Sequence, residues 1–228
     1  MTARIPGGDI RWKFDLAGGS AMDMTYALSF TRFALHAQTP KQITSCTIRP
    51  LKSDPRVDEA MYAHLIFEGP KTRAPNQEKP TQSQVNSRIY TDMARKAVFG
   101  GLIPRFWELP SIEVETEKAI IYYFNAMMPH VYHYISITDK TTGQTRYVKQ
   151  YSGGPFWGNR NTSVGRKGGC KGWSTYRWQL EAFVDAVKGE TPAYWVSGED
   201  SIWQMESLDS MYHAAGLPVR VGTEVKKG

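Results

Sequence analysis

Apolar and polar positions along this chain change period twice. Between residues 21 and 35, Ala21, Met22, Tyr26, Leu28, Phe30, Phe33, Ala34 and Leu35 recur at helical spacing. Ser20, just after Gly18-Gly19, can cap such a helix. The helix is expected to stop by Thr39-Pro40, because proline disfavours helix in the residue before it. The pattern then turns to alternation. Residues 43–50 read as a strand, and 58–68 (DEAMYAHLIFE) alternate with apolar residues on both sides, which predicts a strand covered on both faces. Residues 69–84 read as an exposed loop and 85–92 as a further strand.

Residues 110–152 predict antiparallel strands. Segments 112–115 and 119–124 flank the polar turn 116–118, and segments 131–137 and 146–151 flank Asp139-Lys-Thr-Thr-Gly143, a hairpin signal. Residues 152–174 are Gly-rich and irregular, and read as a second exposed loop. Helical spacing returns at 175–188, where Leu180, Phe183, Val184 and Val187 share one face and Gly189 is a natural stop. It returns again at 199–215, with Ile202, Met205, Leu208, Met211 and Tyr212 on the apolar face and Ser197/Asp200 spaced as a capping box. Helix, then strands, then helices indicates an α+β fold. The expectation is a single domain over 1–228, with one large, mostly antiparallel open sheet and helices packed on one face. Strands 119–124, 131–137 and 146–151 carry apolar residues on both sides, so a second copy is expected over the open face, giving a homodimer.

Composition narrows the classes. The net charge is +6, from 28 basic and 22 acidic residues, but the basic residues are scattered. The densest group, Arg166-Lys167-Gly-Gly-Cys-Lys171, sits in a Gly-rich loop, so no nucleic-acid stripe is expected. Cys46 and Cys170 have neither metal nor redox spacing and read as thiols of a reducing compartment. The first residues lack the apolar segment of a signal peptide, and no run is long enough to span a bilayer, so a cytoplasmic protein without membrane contact is expected. Aromatic residues make up 12% of the chain, with seven Trp and twelve Tyr, which suits either an apolar pocket or an aromatic core.

Three segments, in order, carry a resemblance. They are Gly18-Gly19-x-x-x-Asp23 with Tyr26; Val57-Asp-Glu-Ala-Met-Tyr-Ala; and Thr175-Tyr-Arg-Trp-Gln-Leu-Glu-Ala-Phe-Val-Asp-Ala-Val with Gly198-Glu-Asp-Ser and Tyr212-x-Ala-Ala-Gly216-Leu-Pro. Together they resemble the C-terminal, substrate-binding and dimerisation domain of the Gfo/Idh/MocA oxidoreductases, nearest the dihydrodiol and xylose dehydrogenase branch. In that family an N-terminal Rossmann domain holds the nicotinamide nucleotide and a catalytic lysine in a Glu-Lys-Pro motif. Only nine residues precede Ile10 here, and no Gly-x-Gly-x-x-Gly follows a first strand. Gly100-Gly101 and Gly153-Gly154 do not fit that context, and Glu78-Lys79-Pro80 lies in a loop of the wrong domain.

The resemblance implies that Asp23 takes the place of the family's aspartate, with Tyr26, three residues on, as the acid/base candidate. The family commonly places its His or Tyr four residues after the aspartate, so Tyr26 departs from the pattern by one. Read on its own, Asp23 also suits a helix first turn, and Tyr26 also suits a core aromatic. Lys13, Arg88 and His130 are candidate cationic neighbours for a tyrosine acid, and Trp107, Tyr132 and Trp157 (with Tyr122, Phe124 and Tyr134) are candidate pocket walls. His130 and His133 would face opposite ways in a strand, so no metal pair is expected. The functional expectation is a stand-alone small-molecule enzyme without a cofactor: a lyase, isomerase or cyclase, including the pericyclase type, in a biosynthetic pathway. The alternatives are the substrate half of an NAD(P)-dependent sugar, polyol or dihydrodiol dehydrogenase, with NAD(P) supplied on a separate Rossmann domain, and a non-catalytic binding dimer.

Overall fold

The computed structural model describes residues 5–72, 81–96, 98–99, 108–220 and 222. The fold is α+β with antiparallel pairing in every ladder. The chain divides into two compact units: residues 1–108 with 198–228, and residues 109–197. Among the described residues the strands form two hydrogen-bonded sheets, one in each unit, rather than the one large sheet expected.

In the first unit β1 (Gln42–Pro50), β2 (Asp58–Thr72) and β3 (Thr81–Asp92) make a three-stranded sheet in the order β1-β2-β3. Helices α1 (Ser20–Asp23), α2 (Tyr26–Leu35) and α4 (Gly198–Ala214) pack against it. The alternation of β2 resolves into one covered face. Met61, Ala63, Leu65 and Phe67 are fully buried and meet Leu28, Leu208, Met211 and Tyr212 in the core. The opposite face carries Tyr62, His64, Ile66 and Glu68, which are partly or fully exposed, so β2 is not covered on both sides. β2 also runs on to Thr72 and β3 begins at Thr81, so the expected 69–84 loop is shortened at both ends. Residues 73–80, including Glu78-Lys79-Pro80, lie outside the described residues.

The single helix expected over 20–38 is two. α1 ends at Asp23, Met24 and Thr25 interrupt, and α2 starts at Tyr26 and closes on His36, which takes a left-handed conformation ahead of Pro40. Arg32, buried in α2, ties it to α4: its guanidinium donates to the Asp200 carboxylate (2.7 Å) and to Gln204 Oε1 (2.9 Å).

The second unit holds β4 (Ile112–Glu115), β5 (Ala119–Phe124), β6 (Tyr134–Asp139) and β7 (Thr145–Val148), paired in that order, with helix α3 (Thr175–Val187). β6 starts at Tyr134 rather than at 131. The preceding segment is a turn held by the Asn125 side chain, which donates to the carbonyls of Met128 (3.1 Å) and Tyr132 (2.7 Å). Helix α3 inverts its expected amphipathicity. Leu180, Phe183 and Val187 are exposed (48%, 55% and 70%), whereas Glu181, Ala182 and Asp185 are buried. The reason is the Gly-rich segment 152–174. It packs Trp157 and Trp173 against Trp178 and offers Ser163 and Arg160 to the two acids. Among the described residues, no helix is long and apolar enough to cross a membrane.

The interaction that organises the first unit is the buried carboxylate of Asp58. It accepts hydrogen bonds from Ser20 Oγ (2.7 Å), the Ala21 N–H (2.9 Å) and the Tyr212 hydroxyl (3.0 Å), with the Arg220 guanidinium at 3.8 Å. It therefore joins the start of β2 to α1 and α4. A buried carboxylate is tolerable only when so satisfied. Gly19 closes against it at φ 140°, and a Cβ there would stand 2.3 Å from Asp58 Oδ1. Gly19→Ala is accordingly expected to cost about 3 kcal/mol or more through strain and overlap. Tyr212→Phe, which removes one donor to a buried acceptor, is expected to cost about 1–3 kcal/mol. Urea denaturation midpoints check both, and a Gly19→Ala protein with wild-type stability would contradict the packing of this turn.

Candidate functional site

The Gly18-Gly19 turn shapes the environment of Asp23. Two short 3-10 turns, Ile10–Trp12 and Phe14–Leu16, fold back so that Gly18 N–H donates to the Lys13 carbonyl (2.8 Å) and Gly19 N–H to the Arg11 carbonyl (3.0 Å). A side chain at Gly18 would collide with this backbone, at 2.6 Å from both Arg11 O and Lys13 N. The fold-back brings Arg11 to Asp23: Nε lies 3.1 Å from Oδ1. Arg11 is also braced by Asp9, whose carboxylate accepts the Arg11 N–H (3.0 Å).

Asp23 is the last residue of α1, and its side chain is about one-third exposed (31%). Burial pushes its carboxyl above the usual aspartate value; Arg11 partly offsets this and Asp9 adds to it. A carboxyl pushed upward and still open to solvent is suited to proton exchange with a bound molecule.

Tyr26 stands at the first position of α2, 39% exposed, its ring packed against Phe30 (6.5 Å between centroids). The helix break at Met24-Thr25 separates the pair, and no hydrogen bond joins Tyr26 to Asp23. Lys13 is exposed, and its backbone closes the turn that carries Arg11. The cation that the fold brings to Asp23 is therefore Arg11, which sequence reasoning passed over. The signal was its place in the turn before the double glycine.

Arg88 is not brought to this site. It pairs in register with His64 on the outer face of the sheet, while α1 and α2 pack against the inner one, and strand alternation separates the two. On that outer face His64 Nε2 and the Tyr62 hydroxyl are hydrogen-bonded at 2.9 Å. Trp107 lies outside the described residues.

The remaining expected residues belong to the second unit. Tyr132 is exposed, with the Lys149 ammonium 4.6 Å above its ring and Phe124 and Tyr134 beside it. Trp157 packs on Trp178 (4.8 Å), so it serves the interior of the Gly-rich segment. His130 sits in the turn before β6 and is half-buried. His133, in the same turn, is buried. Its Nε2 accepts the Gln150 N–H (3.0 Å), and its Nδ1 lies 2.6 Å from the Pro129 carbonyl, so both ring nitrogens are engaged. Among the described residues no three His, Cys, Asp or Glu side chains gather as a metal site. Gly153 and Gly154 adopt positive φ but open no helix.

No family model matches the chain, and no curated protein matches it.

Removing the Arg11 cation is expected to move the Asp23 carboxyl further upward, because the attraction that favours its charged form is lost. Carboxyl 13C titration of wild type and Arg11→Gln measures this. A downward shift, or none, would show that Arg11 does not act on Asp23.

Proposed function

We propose that this chain is a small-molecule enzyme that moves a proton at Asp23 and needs no nicotinamide cofactor of its own. The observation that carries the reading is the half-buried Asp23 carboxyl, raised by burial and held against Arg11 at the Gly18-Gly19 turn. In its charged form Asp23 takes a proton from a substrate O–H or from a C–H next to a carbonyl. Arg11 then faces the negative charge that develops on the substrate, or the carboxylate regenerated when the proton leaves. Tyr26, with its ring at the surface three residues on, is the candidate for delivering a proton on the other side. Together these steps make an elimination, an isomerisation or a proton-assisted cyclisation, with positioning supplying the rest of the rate. The substrates that fit the resemblance are sugars, polyols and dihydrodiols.

One observation favours the second reading, the substrate half of an NAD(P)-dependent dehydrogenase. Tyr176, Leu180, Phe183 and Val187 form an exposed apolar stripe along α3, and Ile202 and Met205 are exposed on α4. Helix surfaces of this kind would meet a nucleotide domain in the family that the sequence resembles. On either reading the chain works as a homodimer through the open aromatic face of the second sheet, where Tyr122, Phe124, Tyr134 and Tyr147 share one side.

A panel of sugars, polyols and dihydrodiols, incubated without cofactor and followed by NMR, tests the proposal. The expected result is a product isomeric with its substrate or one water lighter, with Asp23→Asn lowering kcat/KM by about 10²–10⁴-fold. The acid limb of the pH profile should lie above the ordinary aspartate range, since the charged carboxyl is the active form. Turnover that appears only with added NAD(P)+, or saturable NADPH binding to the purified chain, would replace this reading with the second. A monomer in sedimentation at micromolar concentration would refute the dimer.

A further inference from the structure

The second unit contains an open cleft of about 600 Å³ that the reading above does not use. Its walls are His130, Arg166, Cys170, Trp173, Ser174 and Arg177, together with Val164 and Gly172. Four features of this wall select for negative charge. Arg166 has no carboxylate partner among the described residues; its guanidinium meets the Cys170 sulfur at 2.7 Å. Arg177, from the first turn of α3, is the second guanidinium. It is partly neutralised by the buried Glu181, with which it pairs, and it also donates to Ser163 Oγ (3.0 Å). Its Nε is buried and has no partner among the described residues, and the same holds for His130 Nδ1. Ser174 is the N-cap of α3, so the positive end of a thirteen-residue helix opens at the cleft edge.

The Glu181 carboxylate beside Arg177 is already committed. Burial alone would raise Glu181, but two bonds from Ser163 and the Arg177 cation outweigh it and hold the carboxyl below its usual value. Glu181 therefore stays charged and occupied, which fixes Arg177 in place and leaves Arg166 uncompensated. Guanidinium forks, a helix N-terminus and an imidazole around one opening are the donor set that a carboxylate or phosphate requires.

We propose that this cleft binds a small anion bearing a carboxylate or phosphate group, with Arg166 as its principal charge partner and Cys170 beside the bound group. The inference is independent of Asp23.

Cys170 supplies the reporter. Iodoacetate and iodoacetamide alkylate a thiol by the same displacement: the sulfur bonds to the CH2 carbon and iodide leaves. They differ in that iodoacetate carries a carboxylate. Any effect of the surroundings on thiol ionisation enters both rates, so the ratio of the rates isolates recognition of the anion. Cys46 serves as the internal control. It is half-buried in β1, its thiol pushed up to about 11 by burial and by Asp58.

Rates at each cysteine are read by peptide mass spectrometry on the intact folded chain. The iodoacetate-to-iodoacetamide ratio at Cys170 is expected to exceed that of N-acetylcysteine on the order of tenfold. Arg166→Gln should bring it back to the free-thiol value without changing the ratio at Cys46. Millimolar phosphate or acetate should protect Cys170 saturably where sodium chloride of equal ionic strength does not. Whichever of the two protects at lower concentration names the head group. A Cys170 ratio equal to that of the free thiol, protection by sodium chloride as strong as by either anion, or an Arg166→Gln protein that keeps the wild-type ratio would overturn the proposal.

Discussion

The first unit depends on one buried charge. Asp58 stands at the start of β2, with no exposed surface, and is tolerable there only because Ser20, Ala21 and Tyr212 each give it a hydrogen bond. The donors come from two distant parts of the chain, Ser20 and Ala21 from α1 and Tyr212 from α4, so satisfying the carboxylate also fixes the topology. α1 is held to β2, α4 is held to both, and Arg220 lies over the Tyr212 ring (4.0 Å) to close the cluster. The Tyr212 hydroxyl is correspondingly pushed well above its ordinary value, by burial first and by the adjacent Asp58. A hydroxyl so placed is a fixed donor and does not titrate in service.

That constraint is transmitted to the candidate site through two glycines. Gly19 lies where any side chain would strike Asp58, and Gly18 where any side chain would strike the folded-back backbone of residues 11 and 13. With both in place, Arg11 is carried to Asp23 and the carboxyl is part-buried beside a cation. The structural role (Asp58) and the proposed chemical role (Asp23) thus sit at the two ends of one four-residue helix. Only the buried one is fully satisfied. The other keeps a raised carboxyl and a side chain partly open to solvent, as a proton-transfer residue requires.

Much of the fold was legible in the sequence because period is a local property. The strands at 112–115 and 119–124, the hairpin at 139–143 and both closing helices follow from alternation, turn residues and helical spacing. The misreadings came from tertiary choices. The alternation of β2 could not tell which face would be covered, since Tyr62 and His64 are apolar enough to suit either side. The apolar stripe of α3 predicted burial of Leu180 and Phe183, yet the Gly-rich segment offers Ser163, Arg160 and two tryptophans, and the opposite face turned inward. Asp58 appeared in the sequence only as part of a strand motif. Its partners are 38 and 154 residues away, a separation that no local pattern encodes. Arg11 was missed for a similar reason, since its approach to Asp23 depends on a fold-back set by glycine geometry.

The most direct measurement of the central claim is amide hydrogen exchange at Ala21. If Asp58 fastens the turn to the core, the Ala21 N–H exchanges only with the slow amides of β2. In Asp58→Asn, its protection then falls by more than that of the strand. Fast exchange of Ala21 in the wild-type protein, at the pace of exposed loops, would contradict the account.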